Sequence, residues 1–331
     1  MYQKAYKGWN AWWIERGPLT LILVPQVGGR IMGIRWHGRD LTFVNPTLEG
    51  EVEDIGAVTD VRSYKRKLGF LLWGGNKTWL APQDRWTDKL PFLDLDAGAY
   101  DFTIEQNDEN GVRVRMTSPI CRETGIRIKR TISVNAGDAG WTVVHRLENH
   151  AGRTVQWAPW SVGMVLRPAR VYLPTGEDSR YENGVKAFSS EGESESIRAA
   201  VVSYLAEFAV IQCTQPRKFK FGVDSGAGSM LAIFDVKDHG LVGLAKCVPT
   251  FHPQPYGHDC VAEVFNSSEY SYLEIELHGP VTTLEPSSHF ELMERATLFD
   301  VATWPETASE IQQHFERLIK AKAPVEDNIR M

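Results

Sequence analysis

The sequence predicts an all-β protein whose strands run antiparallel in a sandwich or barrel, and two observations support this class. Between residues 100 and 170, short runs rich in β-branched and aromatic residues are separated at regular intervals by turn-forming segments of Asn, Asp and Gly. Residues 272–278 alternate polar and apolar side chains with the period of two that a strand imposes. Regular spacing of this kind favours an antiparallel sandwich over repeated strand–helix–strand units. No domain boundary is evident, so we predict a single domain over residues 1–331.

The N-terminal part of the chain is predicted to form a buried strand and then a hairpin. Leu19–Val24 is apolar, Ile31–Trp36 is a second strand, and a short turn containing Gly38 leads into Leu41–Val44. Residues 45–70 are rich in Pro, Gly and charge, which predicts a long connection with a solvated basic run near its end. The basic residues are Arg62, Lys65, Arg66 and Lys67.

The rest of the chain supplies most of the predicted strands. A surface excursion is expected near residues 174–199, and residues 197–208 fit a short helix or a strand. A helix is predicted near residues 308–321, because Thr307 and Glu310 form a capping box ahead of an apolar stripe. The predicted strands are Tyr100–Gln106, Val112–Ser118, Ile126–Val134, Trp141–Asn149, Val155–Leu166, Ala209–Thr214, Phe219–Val223, Ser229–Val236, Gly240–Cys247, Val281–Leu284 and His289–Leu298.

The segment Cys260–His278 is predicted to be a hairpin with acids on one face. The even-numbered residues of 272–278 share that face, and the apolar odd-numbered residues face the core. Directly opposed like charges are unfavourable on a sheet, so two carboxylates placed there are either solvated or used. A turn centred on Ser268 and Glu269 would pair Glu263 with Glu274, Phe265 with Tyr272, and Asp259 with His278.

Composition and charge exclude several classes of function. The net charge is −6 with mixed signs, whereas a nucleic-acid partner requires a basic face. The four cysteines are scattered, which indicates free thiols in a reducing compartment rather than a zinc site. The N-terminus lacks the apolar core of a secretory signal, and the longest apolar run, Leu19–Val24, is too short to span a bilayer. We therefore expect a cytoplasmic protein with no membrane partner.

Tryptophans are abundant, and one segment combines them with glycine, proline and polar residues. The chain has 11 tryptophans, whose rings can pack in a core or stack against the apolar face of a sugar. Residues 73–86 lack strand or helix periodicity, which is typical of a binding loop on a rigid scaffold. Within this segment, Lys77, Trp79 and Gln83 could stack on and hydrogen-bond a hydroxylated ligand.

Acid–base chemistry is the reactivity that the residues favour. The chain contains no recognisable Ser-His-Asp or cysteine nucleophile motif. His252 and His258 lie on a proline-rich loop, but their spacing is not a specific metal signature, so neither a metal nor a cofactor is predicted. Two carboxylates held close together raise the pKa of one, which lets one act as acid and the other as base. The candidates are Glu263, Glu274 and Glu276, with His252 and His278 as imidazole partners.

Several segments together resemble the aldose 1-epimerase (galactose mutarotase-like) superfamily. Val24–Gly38, followed by residues 41–46, is similar to the opening of that family, and Gly74–Gly75 lies where the family has its glycine-rich substrate loop. Tyr272–Pro280 and the strands after it resemble the closing strands of the family. The narrower match, over residues 74–83 and 272–280, is to an uncharacterised branch of the superfamily.

The resemblance implies a β-supersandwich whose concave face binds a carbohydrate. In mutarotases a glutamate on a late strand is the base, and this role maps onto Glu274. The family's acid is a histidine on a middle strand, where this chain has Trp160 and Ser161; His145 lies one strand too early and His252 on a later loop. The absence of this histidine counts against ring-opening mutarotation more than against sugar binding.

Three functions remain open. The first is a sugar isomerase or epimerase with Glu274 or Glu263 as base and His252 or Lys77 as acid. The second is a non-catalytic carbohydrate-binding protein, and the third is a lyase or hydrolase acting on a sugar-like substrate. The expected partner is a small-molecule carbohydrate, and the oligomeric state is left open. The predicted ligand-binding residues are Arg30, Lys77, Trp79, Gln83, Trp160, Tyr256, Glu276 and His278.

Overall fold

The computed structural model describes residues 1–137, 139–188, 191–224, 227–251 and 254–320. Four α-helices lie in this part of the chain: α1 (Val61–Leu68), α2 (Leu93–Asp96), α3 (Glu191–Val201) and α4 (Ala308–Lys320). The strands are β1 (Tyr2–Tyr6), β2 (Trp9–Arg16), β3 (Leu19–Val24), β4 (Arg30–Trp36), β5 (Arg39–Asp40), β6 (Asn76–Ala81), β7 (Asp101–Asn107), β8 (Gly111–Thr117), β9 (Ile126–Asn135), β10 (Gly140–Asn149), β11 (Val155–Leu166), β12 (Ala169–Pro174), β13 (Lys186–Ala187), β14 (Val202–Leu205), β15 (Phe208–Cys213), β16 (Phe219–Val223), β17 (Ser229–Val236), β18 (Gly240–Cys247), β19 (Ala262–Asn266), β20 (Tyr272–His278), β21 (Thr282–Leu284) and β22 (His289–Val301).

The strands form two antiparallel sheets with an apolar core between them. The first sheet has 12 strands in the order β1-β2-β3-β4-β6-β11-β20-β19-β16-β13, with β5 beside β4 and β21 beside β11. The second has 10 strands in the order β14-β15-β12-β17-β18-β22-β10-β9-β8-β7. The largest apolar cluster combines residues of both sheets, such as Ile275 and Leu277 of β20 with Ile128 of β9 and Val143 of β10. This architecture confirms the predicted all-β class.

Many sequence predictions are confirmed at the level of single elements. Four predicted strands have the observed bounds: Val155–Leu166, Phe219–Val223, Ser229–Val236 and Gly240–Cys247. The capping box forms at the start of α4, where the Glu310 N–H donates to Thr307 Oγ1 (3.3 Å) and the Thr307 N–H donates to Glu310 Oε2 (3.0 Å).

No helix in the described ranges is long and apolar enough to cross a membrane.

The predicted solvated basic run is wrong in one important respect. Residues 61–68 form α1, which Asp60 caps by accepting a hydrogen bond from the Ser63 N–H. Lys65 is fully buried, and its ammonium lies 3.0 Å from Glu123. A helix face that packs against the sheet therefore replaces the expected open connection.

The predicted binding loop at residues 73–86 is instead built around a central strand. Asn76–Ala81 is β6, every residue of which is buried between β4 and β11. A strand that is covered on both faces shows no apolar–polar alternation, which explains why the sequence pattern indicated a loop. The expected excursion at 174–199 also contains regular structure, namely β13 and the start of α3, and the ambiguous stretch after it is helix to Val201 and strand from Val202.

The predicted hairpin forms, but its register differs from the prediction by two residues. Glu263 pairs with Glu276, and Phe265 pairs with Glu274. The turn lies further along the chain than expected, between Asn266 and Leu273. Ser267 Oγ stabilises it by accepting hydrogen bonds from the N–H groups of Glu269 and Tyr270, both at 3.2 Å. A shift of two residues leaves every side chain on its predicted face. The pairing of Asp259 with His278 is also wrong, since the His278 N–H donates to the Val261 carbonyl at 2.9 Å.

Candidate functional site

One face of five neighbouring strands gathers the polar residues of the site. The strands are β6, β11, β20, β19 and β16. Along one row, Lys77 lies opposite Val162, which lies opposite Glu276, which lies opposite Glu263. Since side chains alternate along a strand, residues two positions away share this face. The row on one side therefore holds Trp79, Trp160 and His278, and the row on the other side holds Glu274, Phe265 and Lys220.

A pocket of about 730 Å³ opens on this face. The volume falls within the range of roughly 300–1,000 Å³ that is usual for small-molecule sites. Aromatic rings dominate its wall, and a few charged and amide groups lie among them. The lining residues are Phe70, Leu72, Trp79, Gln83, Trp160, Phe188, Lys218, Lys220, His258, Phe265, Ser267, Ser268, Glu269, Tyr272 and Glu274.

Lys220 connects the pocket wall to two carboxylates beneath it. Its ammonium lies 2.6 Å from Glu263 Oε2 and 2.9 Å from Glu276 Oε2. The Trp160 indole N–H donates to the same oxygen of Glu276 at 2.8 Å. Both carboxylates are fully buried, whereas the Lys220 side chain is 19% exposed. We call Lys220, Glu263, Glu276, His258 and His278 the pocket-floor cluster.

The two carboxylates of this cluster differ in charge. Burial disfavours ionisation of Glu263, but Lys220 and the two neighbouring histidines outweigh it and hold the pKa of Glu263 well below its usual range. Burial raises the pKa of Glu276 well above its usual range, and the negative charge of Glu263 adds to the increase. Glu276 therefore takes up a proton at a higher pH than Glu263 does.

Both histidines of the cluster lie next to Glu263. The Gln83 backbone N–H donates to His258 Nε2 at 3.0 Å, and His258 Nδ1 lies 3.1 Å from Glu263 Oε1. A backbone N–H can only donate, so the ring hydrogen of neutral His258 is on Nδ1 and points to Glu263. His278 is fully buried, with Nε2 at 3.3 Å from Glu263 Oε1, and burial lowers its pKa to about 4.

His258, Glu263 and His278 have donor atoms close enough to surround a cation, but the hydrogen bonds and ion pair of His258 and Glu263 already occupy their atoms. The three atoms lie within 4.8 Å of one another. A metal on His258 Nδ1 would need the hydrogen that this atom donates to Glu263 to be removed, while Nε2 accepts from a backbone N–H. The Lys220 ammonium also occupies the second oxygen of Glu263. This donor set fits a charge-compensated cluster better than a metal centre.

Glu274 is the carboxylate of the hairpin that reaches the pocket. Its side chain is 11% exposed, and Lys77 Nζ lies 3.9 Å from its Oε1, which is beyond hydrogen-bond distance. The Lys77 ammonium lies 3.9 Å above the Trp79 ring and 3.4 Å from Met164 Sδ. Burial lowers the pKa of Lys77 to about 8, although the charge of Glu274 opposes this change. A carboxylate that reaches the pocket and an ammonium group of lowered pKa thus lie side by side.

Most of the predicted site residues in the described part of the chain lie in or beneath this pocket, and Arg30 and Tyr256 do not. Arg30 is fully buried, donating to Asp96 Oδ1 at 2.6 Å and to the Gly74 carbonyl at 3.2 Å. Tyr256 uses its hydroxyl to accept the Phe251 N–H at 3.1 Å, and it does not line the pocket. His252 lies outside the described residues. Among the predicted residues, Glu274, Trp79, Gln83 and Trp160 line the pocket, and Glu263, Lys77, Glu276 and His278 lie buried on the same face of the sheet.

Several residues of the site were not predicted as such, among them Lys220, Phe188 and His258. Lys220 and Phe188 were not named from the sequence, and His258 was considered only as a metal ligand. The alternation of Lys218 and Lys220 with Phe219 and Phe221 was a usable signal, because it places both lysines on one strand face. Phe188 had no such signal, since it comes from the segment expected to be a surface excursion.

Solved structures share this fold at low sequence identity. A candidate aldose 1-epimerase from Klebsiella pneumoniae is 11% identical, and the match covers 97% of this chain and 86% of that chain with a TM-score of 0.59. A candidate mutarotase from Salmonella typhimurium is 10% identical, over 90% and 93% of the two chains, with a TM-score of 0.56. A galactose mutarotase-like protein from Clostridium acetobutylicum is 9% identical, over 91% and 98%, with a TM-score of 0.54.

No protein-family model matches the chain, and no curated protein matches it either. At identities near one in ten, the structural matches establish the fold and nothing finer. The chain therefore has the galactose mutarotase-like fold, as the resemblance in its sequence implied.

Proposed function

We propose that this protein is a carbohydrate isomerase of the mutarotase or epimerase type, with Glu274 as its general base. The observation behind this proposal is the position of Glu274: it reaches an aromatic-lined pocket and lacks a hydrogen-bonded cation, while Glu263 and Glu276 are neutralised beneath the floor. Rings such as Trp79 and Trp160 can stack on a sugar while a carboxylate handles its hydroxyl protons. The names of the structural neighbours agree with this substrate class.

Lys77 is the acid in this proposal. Ring opening of an aldose requires a base to remove the proton of the anomeric hydroxyl and an acid to protonate the ring oxygen. Glu274 would take the first proton and the Lys77 ammonium would give the second; ring closure reverses both transfers. The pKa of Lys77, lowered to about 8 by burial, is close to the pH at which a general acid works best. The expected cytoplasmic location is part of the same proposal and is supported by four cysteines that form no disulfide.

The substitution Glu274→Gln tests this assignment. It keeps the shape of the side chain and removes its basicity, so we expect anomer or epimer interconversion to fall by roughly 10²–10⁴-fold. Exchange NMR on a panel of aldoses, uronic acids and sugar phosphates measures the rate, and the ligand-induced shift in melting temperature measures binding, which should survive. The matched control is Glu291→Gln, an exposed glutamate of β22 far from the pocket. Full activity in the Glu274 variant would refute its role as base.

A second function has an observation of its own in favour. His258 uses both of its ring nitrogens beneath the pocket and His278 is fully buried, so no described imidazole faces Glu274 freely. This arrangement would suit a carbohydrate-binding protein without catalysis. Binding of a sugar by the wild-type protein with no interconversion of any panel member would support that function and exclude the isomerase.

A further inference from the structure

The pocket extends along the strands on both sides of Glu274. At one end its wall includes Trp160, which pairs with His278, and at the other end it includes Tyr272, which precedes His278 by six residues on β20. At about 3.4 Å per residue, this separation corresponds to roughly 20 Å of strand. Glu274 lies between the two ends. A single pyranose ring would therefore occupy only part of the pocket.

The two ends differ in chemistry. The end near Trp160 is aromatic, with Phe70 and Phe188 at its rim beside Trp79 and His258. The other end combines the rings of Phe265 and Tyr272 with polar groups from Lys218, which is exposed, and from the hairpin turn at Ser267 to Glu269. An aromatic end can stack on a sugar ring, and an end with hydroxyl, ammonium and carboxylate groups can hydrogen-bond the hydroxyls of another ring.

The aromatic rim is held in place although it is open to solvent. Phe70 is 38% exposed and Phe188 is 37% exposed, yet each has fixed contacts. The Phe70 ring meets Trp79 edge to face at 5.7 Å. The Phe188 backbone N–H donates to the Lys220 carbonyl at 3.1 Å, and the ammonium groups of Lys186 and Lys220 lie 4.8 Å and 5.4 Å from its ring. Rigid, partly exposed rings at a pocket rim are preorganised to cover an apolar ligand face.

We propose that the ligand of this pocket is a carbohydrate of at least two sugar units, with one unit at the aromatic end and the next at the hairpin-turn end. The inference rests on the proposed function, since it specifies the substrate class of the same site. Phe188 and Lys218 then determine the preference for length: Phe188 stacks on the unit at the aromatic end, and Lys218 hydrogen-bonds the unit at the turn.

The test compares ligands of increasing length on the wild-type protein. Dissociation constants would be measured by calorimetry and ligand-observed NMR for glucose and galactose, and for maltose, cellobiose, lactose and the corresponding trisaccharides. At least one disaccharide should bind ten times or more tightly than its monosaccharide. Equal or weaker binding of every oligosaccharide would overturn the inference while leaving a monosaccharide isomerase intact. Failure of every sugar to bind would overturn the proposed function and the inference with it.

Two variants then locate the additional contacts. Phe188→Ala and Lys218→Ala should each reduce the advantage of the oligosaccharide by about three- to tenfold, and combining them should remove it. Tyr204→Ala is the matched control for Phe188, because Tyr204 is an aromatic residue with 39% exposure that does not line the pocket. Circular dichroism and the melting temperature would verify that each variant is folded. An unchanged length preference in the folded double variant would contradict the assignment of these two residues.

Discussion

The first sheet separates two clusters of the same residue types, one on each of its faces. The pocket-floor cluster lies on the face that opens to the pocket. On the opposite face, between the sheets, a second cluster contains a lysine, a glutamate and a histidine with two hydroxyl residues. We call it the inter-sheet cluster: Thr78, His145, Ser161, Lys246 and Glu294.

The inter-sheet cluster is less accessible to water than the pocket-floor cluster. Lys246 Nζ lies 3.1 Å from Glu294 Oε1, and the two side chains are 3% and 1% exposed. His145 Nδ1 hydrogen-bonds Thr78 Oγ1 at 2.7 Å, and its Nε2 lies 3.6 Å from Glu294 Oε2. The adjoining cavity has a volume of only about 10 Å³, at the limit for one water molecule. Residue types alone therefore do not distinguish a cluster beside a pocket from one enclosed between two sheets; the space that the cluster faces does.

The largest expected loss of stability follows from a substitution in the inter-sheet cluster. Lys246→Met would leave Glu294 buried and without its cation, because Lys246 and His145 together hold the pKa of Glu294 well below its usual range against the effect of burial. Removing one partner of a buried ion pair typically costs about 3–5 kcal/mol. The free energy of unfolding in urea measures this loss. Combining Lys246→Met with Glu294→Gln should recover part of it, and a loss below about 1 kcal/mol would show that water reaches this cluster.

A second prediction concerns stability in acid and tests whether His278 is shielded from water as completely as His145. Burial lowers the pKa of both residues, to about 4 for His278. Above pH 6.5 both the folded and unfolded chains leave His278 neutral. As the pH falls from 6.5 towards 4, the unfolded chain binds a proton that the folded chain excludes, so the free energy of unfolding decreases by up to about 3 kcal/mol from this residue.

His278→Gln should therefore make the loss of stability shallower as the pH falls from 6.5 to 4.5. The control is His150→Gln, since His150 lies in an exposed position at the end of β10. Urea unfolding at several pH values provides the measurement. Parallel slopes for the wild-type protein and the His278 variant would mean that solvent from the pocket already hydrates this imidazole.

The contrast also explains how much the sequence could predict. Alternation at residues 272–278 was sufficient to place Glu274, Glu276 and His278 on one face, because the period of a strand is local information. It could not identify which acid reaches the ligand, since that depends on Lys220 from a strand that is distant in the sequence. The hydrogen bond that sets the tautomer of His258 comes from Gln83, 175 residues away. Strand β6 was missed because both of its faces are buried, one towards each cluster.

The smallest expected effect is the same lysine substitution on the pocket side. Lys220→Met removes the cation of the pocket-floor cluster, but Glu263 keeps His258 and His278 beside it, and Glu276 keeps the Trp160 indole. Water from the pocket can reach the vacated position, and the raised pKa of Glu276 lets this residue take up a proton more readily than an ordinary carboxylate. We expect a loss of only roughly 1–2 kcal/mol in the free energy of unfolding, compared with the larger loss for Lys246→Met. Urea unfolding of the two variants under identical conditions gives the difference directly. Equal losses would mean that access to the pocket does not lower the cost of removing the lysine. The two clusters could then be distinguished only by ligand binding.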